Sequence, residues 1–193
     1  MTVLRTCATA AVCALLAACA ALVAPDAPTA RPAAAFDLVG RVAVSYDGRI
    51  FSSHVRWEHS GPRDEIWLLT PVGQTLAHIV GDAGGATLTG ADQRKYSAAS
   101  VESLTRQALG WELPVARLAY WVQGEIAPGA APEGVERDAQ ARITALTQDG
   151  WRIAFSHPTA GEDLGRPRRL ELARGNHEIR MVIDRWRRDE GTR

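Results

Sequence analysis

Residues 36–58 read FDLVGRVAVSYDGRIFSSHVRWE, and this stretch decides the fold. Leu38, Val42 and Val44 fall on one side of the pattern, with Arg41 and Ser45 on the other. Asp47-Gly48 then supplies a hairpin turn, because tight two-residue turns need residues that tolerate positive φ. Beyond the turn, Phe51, Ser53, Val55 and Trp57 alternate with Ser52, His54, Arg56 and Glu58. A period of two places successive side chains on opposite faces of a strand. The stretch is therefore a β-hairpin with one apolar face, and the rest of the chain needs a matching partner for that face.

Downstream the same period recurs. Residues 64–70 (DEIWLLT) make a third strand that is apolar on both faces, and Pro71-Val72-Gly73 interrupts it. A fourth strand is expected from Thr75 to Val80, with two shorter ones near residues 86–89 and 94–97. The period then changes to about 3.6. Val101, Leu104, Thr105 and Ala108 share a helical face, with Ser100 as N-cap and Gly110 as the stop. A second helix opens near Pro114, carries the stripe Val115, Leu118, Trp121 and Val122, and ends at Gly124. Residues 125–136 read as a Pro/Gly loop of acidic character. Strands return at Ile143–Gln148, at Trp151-Ile153-Phe155, at Leu170-Leu172 and at Ile179-Met181-Ile183.

Six strands, two helices and four strands joined by short turns give antiparallel neighbours. A sheet of about ten strands curls. The expected fold class is thus mainly β with helices (α+β): a strongly curled antiparallel sheet forming an open half-barrel, its apolar cavity covered by the helices. The strand residues expected to line that cavity are Trp57, Leu69, Trp151, Ile153, Phe155, Leu170, Leu172, Met181 and Ile183. From the helices come Leu104, Leu118, Trp121 and Val122. Ordinary core packing accounts for the same pattern, since a stripe looks alike facing core or cavity.

Upstream, Leu16-Ala17-Ala18-Cys19 has the form of a lipobox: a branched apolar residue, two small residues, then cysteine. The head carries one charge, Arg5, and the apolar run from Ala8 to Ala18 falls short of the ~20 residues a membrane helix needs. Residues 1–18 are therefore expected to be a lipoprotein signal peptide. Cys19 would become the N-terminus, carrying an N-acyl and an S-diacylglycerol group; the alternative is an ordinary secretory signal with Cys19 a bystander. Residues 19–35 would be a flexible tether, since positions 20–35 hold eight alanines and three prolines. Extended, those residues reach about 50 Å at roughly 3.3 Å each. The folded domain is expected over residues 36–188, with 189–193 as a tail.

Composition narrows the chemistry. All three cysteines lie at or before position 19, so the domain has no disulfide, Cys–zinc site or thiol nucleophile. The 22 basic and 22 acidic residues cancel, which argues against nucleic acid as a partner. The histidines at 54, 59, 78, 157 and 177 show no metal-ligand spacing. No Gly-x-Ser-x-Gly, phosphate loop or paired-carboxylate motif occurs, so no enzyme and no cofactor beyond the lipid on Cys19 is expected.

A set of short pieces, in order, resembles a known family. They are Phe36 to Val44, Trp57, Leu68-Leu69-Thr70-Pro71-Val72-Gly73, Tyr96-Ser97-Ala98 and Leu109-Gly110. Leu113-Pro114-Val115, Leu118, Trp121-Val122-Gln123-Gly124, Gln148-Asp149-Gly150-Trp151 and Val182 to Trp186 follow. Together they resemble the LolB family of outer-membrane lipoprotein receptors over nearly all of residues 36–186. The resemblance implies an incomplete barrel of antiparallel strands covered by helices, anchored by lipid to the periplasmic face of the outer membrane. It implies a protein that accepts acylated lipoproteins from the periplasmic carrier LolA and inserts them into the outer membrane without nucleotide, metal or ATP. Its partners would be LolA, the acylated cargo and outer-membrane lipids, with no nucleic acid, and it would be a monomer. Ala20 follows Cys19, so no aspartate stands there as an inner-membrane retention signal. The family's membrane-insertion loop usually reads Pro-Leu-Gly and here corresponds to Pro71, Val72 and Gly73; the other reading of Val72 is a half-buried residue in a tight turn. Arginines 166, 168, 169, 185, 187 and 188 form basic clusters, either solvated strand edges and tail or a patch that meets an acidic carrier surface or lipid headgroups. A different class remains open: a lipid-anchored sensor or structural protein that uses a similar half-barrel to bind lipid or a partner.

Overall fold

The computed structural model describes residues 32–161 and 163–187. The lipobox, Cys19, most of the expected tether and the tail lie outside the described residues. Eleven strands form one sheet: β1 (Phe36–Tyr46), β2 (Arg49–Ser60), β3 (Arg63–Leu69), β4 (Thr75–Asp82), β5 (Gly85–Gly90), β6 (Lys95–Ala98), β7 (Glu133–Arg137), β8 (Ile143–Gln148), β9 (Trp151–Ser156), β10 (Arg169–Arg174) and β11 (His177–Arg187). Two helices, α1 (Val101–Leu109) and α2 (Val115–Trp121), lie between β6 and β7 in the chain.

Strand order is β6-β5-β4-β3-β2-β1-β11-β10-β9-β8-β7, every pair antiparallel. Two meanders are therefore joined at one seam, where β1 pairs with β11. The sheet stays open, because its edge strands β6 and β7 have no partner on their far sides among the described residues. The helices connect those two edges. Flat, eleven strands at about 4.8 Å spacing would be ~48 Å wide, while α1 is only about 13 Å long at 1.5 Å per residue. Ile66 and Ile79 on one wing and Ile143, Leu146 and Ile153 on the other are nonetheless all buried. The sheet must wrap around the helices for both wings to be covered.

The open antiparallel sheet and the two helices follow the sequence pattern. β7 does not: it falls inside the stretch read as a loop. All five of its residues are exposed and its pairing with β8 is irregular. It has no apolar alternation to betray it, and backbone pairing alone makes it a strand. At the other end, packing reaches further back than Phe36. Ala33 is buried, and the Gln123 side chain donates to the Ala34 carbonyl at 3.1 Å.

The seam has a steric condition. Register shifts between Val39 and Gly40 where β1 meets β11. A Cβ on Gly40 would stand 2.3 Å from the Val182 carbonyl oxygen. Only glycine fits there, although its φ is ordinary. Gly81 plays a similar part for α1: a Cβ there would meet Val101 Cγ2 at 2.6 Å. α1 itself is capped as its sequence indicates. Ser100 Oγ accepts from the Ser103 N–H at 3.2 Å, and Gly110 closes the helix at φ 83.

Gly40→Val should lower stability by about 3 kcal/mol or more through overpacking and lost pairing, read by chemical denaturation. Wild-type stability in that variant would show that β1 and β11 do not approach as described.

Candidate lipid-binding face and membrane tip

The inward-facing residues form rows across the sheet. One row runs Leu146, Ile153, Leu172, Ile179, Val44, Phe51. Another runs Leu38, Trp57, Ile66, Ile79, Leu88, Tyr96. In both, burial fades along the row. The early members are sealed in the core, Val44 and Leu88 are half-buried, and Phe51 and Tyr96 are exposed at 45% and 50%. Two apolar tracks thus lead from the packed interior to solvent.

Twelve of the thirteen residues expected to line a cavity are buried: Trp57, Leu104, Leu118, Trp121, Val122, Trp151, Ile153, Phe155, Leu170, Leu172, Met181 and Ile183. Leu104, Trp121 and Val122 fill the space under the sheet, with no exposed surface at all. Leu69 differs. It pairs with His54 in the outward row, while Leu68 pairs with Val55 and packs on the core. With Ile66 and Trp57 facing inward, a period of two gives the inner position to Leu68. A strand apolar on both faces offered no means to choose between the two leucines. Trp151 borders a hollow of about 720 Å³ whose other walls include His59, Asp64, Glu102, Arg117 and Asp149. Pro62, Pro114, Tyr120 and Pro128 line the same hollow, so charged and apolar side chains are mixed around it.

Between β3 and β4 the chain makes a tight turn. Thr70 N–H donates to the Gln74 carbonyl at 2.8 Å, Gly73 N–H to the Thr70 carbonyl at 2.9 Å, and Gln74 N–H to Thr70 Oγ1 at 3.0 Å. Gly73 takes φ 84, which glycine alone adopts without strain. These bonds fix the turn and leave Val72 at its tip, 82% exposed. A half-buried valine is therefore not what the turn contains.

The sequence matches the family described as Outer membrane lipoprotein LolB over residues 34–186. The chain belongs to the LolB family. The outer-membrane lipoprotein LolB of Nitrosomonas europaea is 39% identical over 153 residues, covering 78% of this chain and 72% of that protein. The corresponding protein of Chromobacterium violaceum is 37% identical over 153 residues, covering 79% and 81%. Among solved structures, a LolA superfamily protein from Nitrosomonas europaea is similar with a TM-score of 0.48 at 10% identity, over 82% of this chain and 88% of that one.

Residues that carry the LolB likeness also hold the helices in place. Gln148, 1% exposed, accepts from Trp121 Nε1 at 2.9 Å and from the Ala127 N–H at 3.2 Å. Its amide donates to the Ala127 and Ala130 carbonyls at 2.7 and 2.8 Å. One buried side chain thereby ties α2, the loop after it and β8 together, with every polar atom satisfied. Trp57 is pinned in the same way, its Nε1 donating to Asp64 Oδ1 at 2.8 Å. The basic clusters are mostly engaged: Arg166 lies over Trp186 at 4.4 Å, and Arg187 and Arg169 pair with Asp37 and Glu171. Arg168 and Arg185 have no ion pair among the described residues, and Arg188 lies outside them.

Gln148→Leu would leave the Trp121 indole N–H and the Ala127 amide buried without partners. It should cost about 3 kcal/mol, with the tryptophan emission shifted as α2 loosens. An unchanged denaturation midpoint would show that Gln148 does not carry the helix layer.

Proposed function

We propose that this chain accepts acylated lipoproteins from the periplasmic carrier LolA and inserts them into the outer membrane, driven by burial of alkyl surface and without ATP. The observation that carries the reading is Val72, held 82% exposed at the tip of a turn with nothing among the described residues to cover it. A rigid turn that spends its most prominent position on an apolar side chain suits contact with a bilayer. Cys19 would hold the domain at that bilayer through its N-acyl and S-diacylglycerol groups.

The interior adds a condition on binding. Because α1 and α2 fill the concave side, the cargo's acyl chains cannot simply enter an empty cavity. The half-covered inner positions Val42, Val44, Leu68 and Leu88 offer the first apolar purchase. Deeper entry displaces helix side chains, and the alkyl chains replace their contacts. Each methylene removed from water contributes about 0.8 kcal/mol, so long chains supply the free energy to move the helices. The reverse step, with the helices refilling the space, helps expel the chains once a bilayer is at hand.

A transfer assay with acylated cargo, carrier and liposomes tests this. Val72→Glu should fold normally and take cargo from the carrier, yet deliver at least tenfold less into liposomes. Val72→Leu adds one methylene at the tip and should speed delivery about fourfold. Normal delivery by the glutamate variant would sink the role given to the turn. Retention of cargo by the wild type in the presence of liposomes would instead indicate a lipid sensor.

A further inference from the structure

The two most exposed large apolar side chains among the described residues sit on different hairpins: Val72 and, at 79%, Ile50. The register places both at one end of the sheet. His54 faces Leu69, the last residue of β3, so residues 49–53 of β2 run past β3 on the side from which the Thr70–Gln74 turn projects. Leu76 follows that turn. Tyr96 follows the β5–β6 turn, where the Ala91 N–H donates to the Leu76 carbonyl at 3.0 Å. With Phe51, five of the eight exposed large apolar side chains stand at this end. Scattered single exposures are ordinary on a protein surface; a concentration on the hairpin ends of one edge is not.

The β1–β2 hairpin is built to hold its shape. Its ladder continues to Tyr46↔Arg49, so its backbone groups are paired across the hairpin close to the tip. Tyr46 stacks on His177 at 4.5 Å, Asp47 accepts a hydrogen bond from Asn176, and the Asp47 carboxylate raises the neighbouring Tyr46 phenol above its ordinary pKa. Ile50 and Phe51 are consecutive and point to opposite faces, so the hairpin end is apolar on both sides. Arg49, next to them, has no ion pair among the described residues, and neither has Lys95 beside Tyr96. A paired backbone, apolar side chains on both faces and an adjacent free cation fit the boundary between lipid headgroups and acyl chains.

We infer that the β1–β2 hairpin end is a second bilayer contact of this chain, with Ile50 and Phe51 entering the interface and Arg49 meeting lipid phosphate. The inference rests on the reading that Val72 touches the membrane. It makes the encounter a two-point one, which sets the tilt of the sheet on the bilayer and aims the apolar tracks ending at Phe51 and Tyr96 toward the lipid.

The test uses the full-length lipid-anchored chain in vesicles of phosphatidylethanolamine and phosphatidylglycerol. The domain's lack of cysteine lets an environment-sensitive fluorophore be placed at Ile50→Cys, at Val72→Cys, or at Pro62→Cys in the turn at the opposite end. Brominated lipid should quench the probe at 50 and 72 and leave 62 bright. Quenching at 72 alone overturns the hairpin contact and leaves the proposed function standing; quenching at neither removes both. Equal quenching at all three overturns it too, since no defined end would then face the bilayer. Independently, Ile50→Asp should reduce delivery into vesicles about tenfold while cargo uptake from the carrier, measured without vesicles, stays at the wild-type level. Loss of uptake in that variant would make the hairpin a carrier contact and refute the assignment.

Discussion

At Gly40 the backbones of β1 and β11 come so close that a methyl group has no room, its Cβ falling 2.3 Å from the Val182 carbonyl. The rest of the molecule depends on that approach. The seam is the one place where the two meanders pair, and it sets which residues of each wing share a row. Ile183 faces Gly40 and Gly40 faces Val55, so the inward row crosses the seam through a position with no side chain. Moving the pairing by one residue would turn a whole wing inside out. That wing would then lose the apolar face that the helices cover.

The openness of the sheet and the fullness of its interior belong together. A closed barrel of this size would fix its contents. Here the two edges are unpaired and are bridged only by α1, α2 and their connecting loops. The interior is occupied by helix side chains, which shield the apolar face of the sheet from water. Polar pins such as Gln148 with Trp121 and Asp64 with Trp57 define the resting arrangement, because buried polar groups accept few alternative geometries.

Much of this was legible in the residue pattern, for physical reasons that differ by element. Alternation around Asp47-Gly48 and at Trp151-Ile153-Phe155 marks strands because one face is buried and the other wet. The stripe of α2 is legible for the same reason, and all four of its residues are buried. β7 was hidden because neither of its faces is buried. Leu68 and Leu69 could not be separated within an apolar run, since only the partner strand decides which faces inward. Most of all, periodicity reports that Leu104, Trp121 and Val122 leave water, not whether they line a space or fill it. The prominence of Ile50 and Phe51 was also out of reach. They continue a good strand pattern, and their exposure arises only because β2 outruns β3.

The β1–β11 seam also bears on how the chain is made. β1 opens the domain and β11 closes it, with nearly the whole sequence between them, so the central ladder pairs residues of very high separation. Through synthesis and export, β1 can pair with β2 and leave its other edge bare, a long apolar-faced strand of the kind that recruits foreign strands. Only the last strand to emerge covers it. Completion of this domain is thus governed by its C-terminus, and a truncation that removed β11 alone would leave ten well-formed strand sequences with an exposed edge at their centre.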